Sequence, residues 1–453
     1  MAKDMFTYDA ALAEQIFAYC RERLALSPVP LDYGGTGIDL TASLAGVINE
    51  TGNDPATILS LFTDILAPRI ISGDSERFLA FIPAAPTKAS LLFDMVVSAS
   101  ALHGASWLES AGAVAAENQV LRTFADLAGL PARAGGCFVS GGSLGNLSAL
   151  VVARERGLTR RAGLERHRVR IALSAEAHSS IGSALRILGV EPLLVATEDH
   201  RLTGRTLAAA LEADPHPEEI VGVAATAGTT NAGIIDDLAG VAAVAAEREL
   251  WFHVDGAYGL AGLCSPALRP LYDGIEQADS FIVDPHKWLF APFDSCALVY
   301  RDPAFARTVH TQHASYLDIL HDETNVEWNP SDYAVHLTRR PRGLPIWFSL
   351  AVHGTAAYGE AVDQAVSIAH DAAAQIEAAD HVELLRPPGL SIVLFRRRGW
   401  STADYEHWSE QLVRDQIGFV TPTGWEGETV ARFAFLHPHT SPDLVAEILA
   451  TMA

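Results

Sequence analysis

Two apolar runs in the second half of the chain each end in a polar group able to do chemistry. Phe252-His253-Val254-Asp255 leads into Gly256-Ala257-Tyr258, and Ser280-Phe281-Ile282-Val283 leads into Asp284-Pro285-His286-Lys287-Trp288. An apolar run closed by a polar side chain is how a buried strand of an α/β sheet delivers that side chain to its carboxyl edge. One run delivers a carboxylate, Asp255, and the other an amine, Lys287. A lysine so placed can form a Schiff base with a carbonyl group, and a buried carboxylate can pair with a pyridinium nitrogen. Together they are the minimal protein contribution to pyridoxal phosphate (PLP) chemistry. Taken singly, Asp255 could answer a nearby arginine and Lys287 would be unremarkable; the pairing carries the reading.

Three other stretches could serve the same site. Phe138-Val139-Ser140-Gly141-Gly142-Ser143-Leu144-Gly145-Asn146 reads as strand, glycine turn and helix start. Glycines let backbone amides approach an anion, the helix N-terminus attracts it, and Ser143 adds a hydroxyl. The same Gly-Gly-Ser also suits a plain turn. His178, in Ala177-His178-Ser179-Ser180, follows a strand and precedes an apolar helix. Spacing alone favours a capping histidine there over a ring stacked on a flat cofactor. Thr226-Ala227-Gly228-Thr229-Thr230 offers small and hydroxyl residues at another strand end, for a cofactor, a substrate or a turn. Asp236 and Asp237 read as helix-start residues.

The elements that would position these groups alternate from residue 90 onward. Helices are expected over 90–104, 111–130 and 146–156, and strands over 136–140, 169–174, 192–196, 220–225, 250–254, 280–283 and 296–300. Strands separated by helical crossovers predict an α/β fold with a mainly parallel sheet covered by helices on both faces. Residues 7–70 read as helices broken by a Pro/Gly stretch at 28–37, an arm with little core of its own. After residue 342 come a long apolar helix, two strands over 390–395 and 430–436, and further helices, predicting a small α+β lobe. The expected organisation is an N-terminal helical arm (1–85), a large cofactor-binding domain (86–343) and a small C-terminal domain (344–453).

Composition narrows the partners. The chain has 453 residues, 49% hydrophobic and 19% charged, with a formal net charge of −23. That charge disfavours duplex nucleic acid and anionic membranes, which need a positive face. Asp4, Asp9 and Glu14 are unlike a signal peptide, and no run approaches the roughly 18 apolar residues of a membrane span. Cys20, Cys137, Cys264 and Cys296 show no metal-like spacing, so no metal site is expected, and reduced thiols suit a cytoplasmic protein.

With these motifs in place, the chain resembles the group II PLP-dependent amino-acid decarboxylases, of the aromatic L-amino-acid decarboxylase type, along nearly its whole length. Asp284-Pro285-His286-Lys287-Trp288 is similar to that family's Asn-Pro-His-Lys-Trp segment. The resemblance implies a fold-type I PLP-dependent transferase fold, with Lys287 as the Schiff-base lysine. It implies that Gly142, Ser143, His286 and Ser280 surround the cofactor phosphate and that Asp255 meets the ring nitrogen. Ala257 would lie under the ring, His178 would stack on it, and Thr230 would face substrate and cofactor. Phe78, Phe81, Ile82 and Pro83 resemble the substrate-pocket segment, as does the stretch containing Trp107, implying an aromatic or apolar side chain.

Ala314-Ser315-Tyr316-Leu317 resembles the family's mobile loop. There Tyr316 would reach the neighbouring subunit's site in a homodimer and protonate the decarboxylated carbon; a phenylalanine would instead suggest an aldehyde synthase. Two departures stand out. Ala105 is smaller than the aromatic residue of animal relatives, and Asp284 replaces their asparagine. The implied reaction converts an L-amino acid to its amine and CO2. Its rivals are an aldehyde synthase, another fold-type I lyase or transaminase, and a non-enzymatic PLP-binding sensor or scaffold.

Overall fold

The structure, a computed structural model, describes residues 5–32, 39–82, 85–315, 317–320 and 327–453. Pro83 and Tyr316 lie outside the described residues. Seven strands build the large sheet: β1 (Gly135–Val139), β2 (Arg170–Ser174), β3 (Glu191–Val195), β4 (Ile220–Thr226), β5 (Trp251–Asp255), β6 (Ser280–Val283) and β7 (Cys296–Tyr300). Their spatial order is β1-β7-β6-β5-β4-β2-β3. β7 runs antiparallel to β1 and β6, and the remaining pairs are parallel. All residues of β1, β4, β5, β6 and β7 are buried, as strands covered on both faces must be.

Alternation along the strands divides the core in two. Phe252, Val254, Phe281 and Val283 face one layer of helices, while Trp251, Ile282 and Leu298 face the other. Helix Gly142–Arg160 lies close on the second face. A Cβ on its Gly157 would come 2.4 Å from the Cβ of Val221, so only glycine allows that approach.

The C-terminal part is a second layer system. Strands β8 (Val382–Leu384), β9 (Ile392–Arg397), β10 (Thr423–Trp425) and β11 (Glu428–Ala434) form an antiparallel sheet in the order β10-β11-β9-β8. Helices Leu344–Glu377, Thr402–Arg414 and Pro442–Ala450 cover it around Phe395, Phe433, Phe435 and Trp408. The first of these helices breaks at Gly354, where φ is +78°. Leu79 hydrogen-bonds to Phe419 and Ala434 and sits in this same core, so the end of the arm is sewn to the small lobe. The earlier arm differs: helices Ala10–Ala25, Leu40–Leu44 and Pro55–Leu61 bury no residue within the chain. Among the described residues, no helix is long and apolar enough to cross a membrane.

Candidate active site

Because β1, β2, β4, β5 and β6 are mutually parallel, their carboxyl ends converge on one edge, where open α/β sheets bind ligands. A cleft of about 580 Å³ opens there, with Gly142, His178, Thr230, Asp255, Asp284 and Lys287 among its walls. Ser143, Ala257 and His286 line it too. Most of the expected site is thus gathered by topology alone, from five separate stretches of sequence.

Each group is held by its own strand end. Asp255 closes β5; its Oδ2 accepts from Asn146 Nδ2 at 2.8 Å and its Oδ1 from the Ala257 amide at 3.1 Å. Lys287 stands on the turn after β6, with Nζ 2.9 Å from Asp284 Oδ2. Burial alone would push the Lys287 ammonium down, but Asp284, and Asp255 beyond it, outweigh burial and hold it above its ordinary value. His286 Nδ1 is pinned to the Ser295 backbone, 2.6 Å from its oxygen and 3.1 Å from its nitrogen. His178 caps helix Ser179–Leu188, its Nδ1 accepting from the Ser180 amide at 3.2 Å.

Asp284 does not face elsewhere, as its unusual charge would require beside a phosphate. It is buried, with Oδ2 reaching Lys287 and lying 3.8 Å from His286 Nε2, and Oδ1 has no hydrogen-bond partner. Burial and this carboxylate together push the Cys296 thiol well up.

Other expected positions differ. Ser280 is not at the cleft. It begins β6, at the far end of the strand from Lys287, and is wholly buried between Trp251 Nε1 (2.9 Å) and His253 Nδ1 (2.8 Å). Phe78, Phe81, Ile82 and Trp107 stand outside the walls formed by the described residues of this chain. Phe81 is tied to the cleft indirectly: Arg432 Nη2 donates to its carbonyl at 2.7 Å and to that of Thr230 at 2.6 Å. Trp107 begins helix Trp107–Leu127, its amide bonded to Asn329 Oδ1.

Sequence reasoning missed Asn146, Ser180, His253, Arg432 and Phe293. Phe293 lines the cleft mouth with its ring largely exposed, 5.0 Å from that of His286. His253 had a signal: two residues before Asp255 on one strand, it shares that residue's face. Asn146 had another, one helical turn beyond Gly142.

The donor set fits PLP. A helix N-terminus suits its phosphate, a lysine its aldehyde, a carboxylate its ring nitrogen and a flat imidazole its face. Gly142 keeps the cradle open, since a Cβ there would stand 3.1 Å from Asp284 Oδ2 and 3.2 Å from Ala257 Cβ. Comparison with known proteins agrees. A family model described as the pyridoxal-dependent decarboxylase conserved domain matches residues 42–398. The chain is 30% identical over 424 residues to the aromatic-L-amino-acid decarboxylase of Bacillus atrophaeus, covering 90% of this chain and 87% of the relative. It is 33% identical over 375 residues to the L-2,4-diaminobutyrate decarboxylase of Rhizobium meliloti, covering 80% and 74%. The crystal structure of Oryza sativa TDC with PLP and tryptamine shares the fold, with a TM-score of 0.91 and 24% identity over 100% of this chain and 99% of that one.

Fold and site together define a PLP-dependent enzyme of fold type I. The chain belongs to the pyridoxal-dependent decarboxylase family. Its chemistry is the PLP-dependent decarboxylation of an amino acid, a carboxy-lyase reaction.

Proposed function

We propose that the substrate is an L-amino acid with an aromatic or apolar side chain, and that Lys287, Asp255 and His178 carry its conversion to the amine and CO2. The observation that supports the substrate class is the pairing of every carboxylate at the cleft. Glu176 is bonded to His200 (2.9 Å), Asp294 to Arg342 (2.8 Å), Asp255 to Asn146 and Asp284 to Lys287. A cationic side chain would meet carboxylates that already have partners, Asp284 keeping one oxygen without a hydrogen bond, whereas Phe293, and Phe81 through Arg432, offer rings nearby.

When bound, PLP supplies an aldehyde that joins an amine and a ring that takes up the electrons released with CO2. The Lys287 ammonium, held by Asp284 Oδ2 at 2.9 Å, must lose a proton before its nitrogen can react. Asp255, fixed by two donors, would offer its carboxylate to the ring nitrogen. His178, which lines the cleft, would be the flat partner, and Tyr316 would supply the proton to Cα; such a transfer contributes about 10²–10⁴-fold. We read the protein as a cytoplasmic homodimer, which the unburied arm helices and unpaired cysteines support.

The test is a screen of the amino acids for CO2 release, with the amine identified and peroxide assayed. Aromatic substrates are expected to give amine without peroxide; peroxide in step with product would make the protein an aldehyde synthase. Lys287→Ala should lose both the visible absorbance of lysine-bound cofactor and turnover. Retention of both would overturn the lysine's role.

A further inference from the structure

Behind the cleft runs a chain of hydrogen bonds whose direction can be worked out atom by atom. Trp251 Nε1, which can only donate, gives its proton to Ser280 Oγ at 2.9 Å. Ser280 Oγ lies 2.8 Å from His253 Nδ1. His253 is wholly buried, which pushes its imidazole down to about 4, so the ring carries one proton. Its Nε2 lies 2.9 Å from Asn146 Oδ1, an acceptor, so that proton is on Nε2 and Nδ1 takes the Ser280 hydroxyl. The Asn146 amide nitrogen then points its two protons at Asp255 Oδ2 (2.8 Å) and Ser180 Oγ (3.0 Å). Turning the amide over would set its carbonyl against the Asp255 carboxylate, so both ends of the chain require the same orientation.

The last link reaches the cleft. Ser180 Oγ, accepting from Asn146, directs its own proton to His178 Nδ1 at 2.9 Å, which also accepts the Ser180 amide. With Nδ1 occupied as an acceptor, the imidazole's proton lies on Nε2.

We propose that Asn146 is the positioning residue of this site: one amide orients the Asp255 carboxylate and, through Ser180, fixes His178 as a neutral ring presenting Nε2–H to the cleft. His178 is then a hydrogen-bond donor to a substrate oxygen and not a proton acceptor on the side it presents. His253 and Ser280, which stand outside the cleft's walls, serve to hold Asn146 in register. The catalytic consequence rests on the roles proposed above for Asp255 and His178; the tautomer does not.

The decisive measurement is nitrogen NMR of histidine-labelled, cofactor-free protein, with the His178 signals identified by their loss in His178→Asn. The expected pattern is a neutral ring protonated at Nε2; a proton on Nδ1 would overturn the proposal without any further variant. Asn146→Leu should disturb that pattern, lower kcat by on the order of 10²-fold with little change in KM, and shift the pH dependence of the cofactor's visible absorbance. His253→Gln, whose amide can still donate to Asn146, should restore the tautomer and much of the rate, whereas His253→Leu should not. Equal behaviour of the two His253 variants would reduce the chain to packing and sink the proposal. An intact tautomer with turnover indifferent to His178 and Asp255 would instead strike the functional reading and leave the hydrogen-bond assignment standing.

Discussion

Asp284 is the residue whose charge most needs an explanation. It neutralises Lys287 at 2.9 Å and has a second oxygen with no hydrogen-bond partner. With PLP bound to Lys287 that pairing would weaken, and the carboxylate would stand beside the helix N-terminus that suits the phosphate. Asp284→Asn should therefore bind PLP on the order of tenfold more tightly, the effect of relieving about 1.4 kcal/mol of repulsion. The same change should lower the melting temperature of the cofactor-free form, because Lys287 loses its nearest counter-charge. Titration by visible absorbance and calorimetry of the two forms measure the opposed effects. Unchanged affinity would mean that Asp284 does not feel the cofactor.

Among the elements, one buried ion pair joins the cleft's supports. Arg339 Nη2 meets Glu117 Oε1 at 2.7 Å, Glu117 also accepts from the Gly343 amide, and Arg339 Nη1 donates to the Gly104 carbonyl. The pair ties helix Trp107–Leu127 to the segment that starts helix Leu344–Glu377, and both side chains are almost wholly buried. Arg339→Met strands a buried carboxylate and should cost about 3–5 kcal/mol in chemical denaturation, with part recovered by adding Glu117→Gln. A loss under about 1 kcal/mol would mean the segment is held by something else. The strands around this support were legible in sequence because doubly covered parallel strands are apolar runs ending in turn residues. Lys287 and Asp255 were legible because each breaks such a run at its carboxyl end. β8 and β10 were not, being three-residue edge strands with no periodicity to read. The break at Gly354 was hidden because the apolar pattern continues across it. Asn146 and His253 were overlooked because single polar residues within apolar elements look like ordinary satisfied groups; only the fold shows that they satisfy each other.

For the whole molecule, buried histidines should govern the response to acid. His253 and His310, both buried, and His336 and His437, both half-buried, are each pushed down to about 4 by loss of water, His310 and His336 standing close together beside Ser148. In the unfolded chain each would titrate near its ordinary value of about 6.5. The folded values lie below the unfolded ones, so their contribution is complete above about pH 6.5. It is lost as pH falls towards 4, by up to about 1.4 kcal/mol per pH unit for each residue. Asp236 works in the opposite sense. Burial pushes it up to about 7 against the two backbone amides it accepts from, so its contribution is present below about pH 4 and lost as pH rises through 7. Between pH 6.5 and 4 the four histidines outweigh Asp236 and Asp279, which burial also pushes up, and the melting temperature should fall through that window. Calorimetry at half-unit steps of pH measures the slope. His310→Gln, whose amide can replace the bond from Nε2 to the Ser148 carbonyl, should make the slope shallower without moving the plateau above pH 7. A melting temperature flat from pH 7 to 4 would mean that these rings are open to water in the native protein, against the packing that surrounds them.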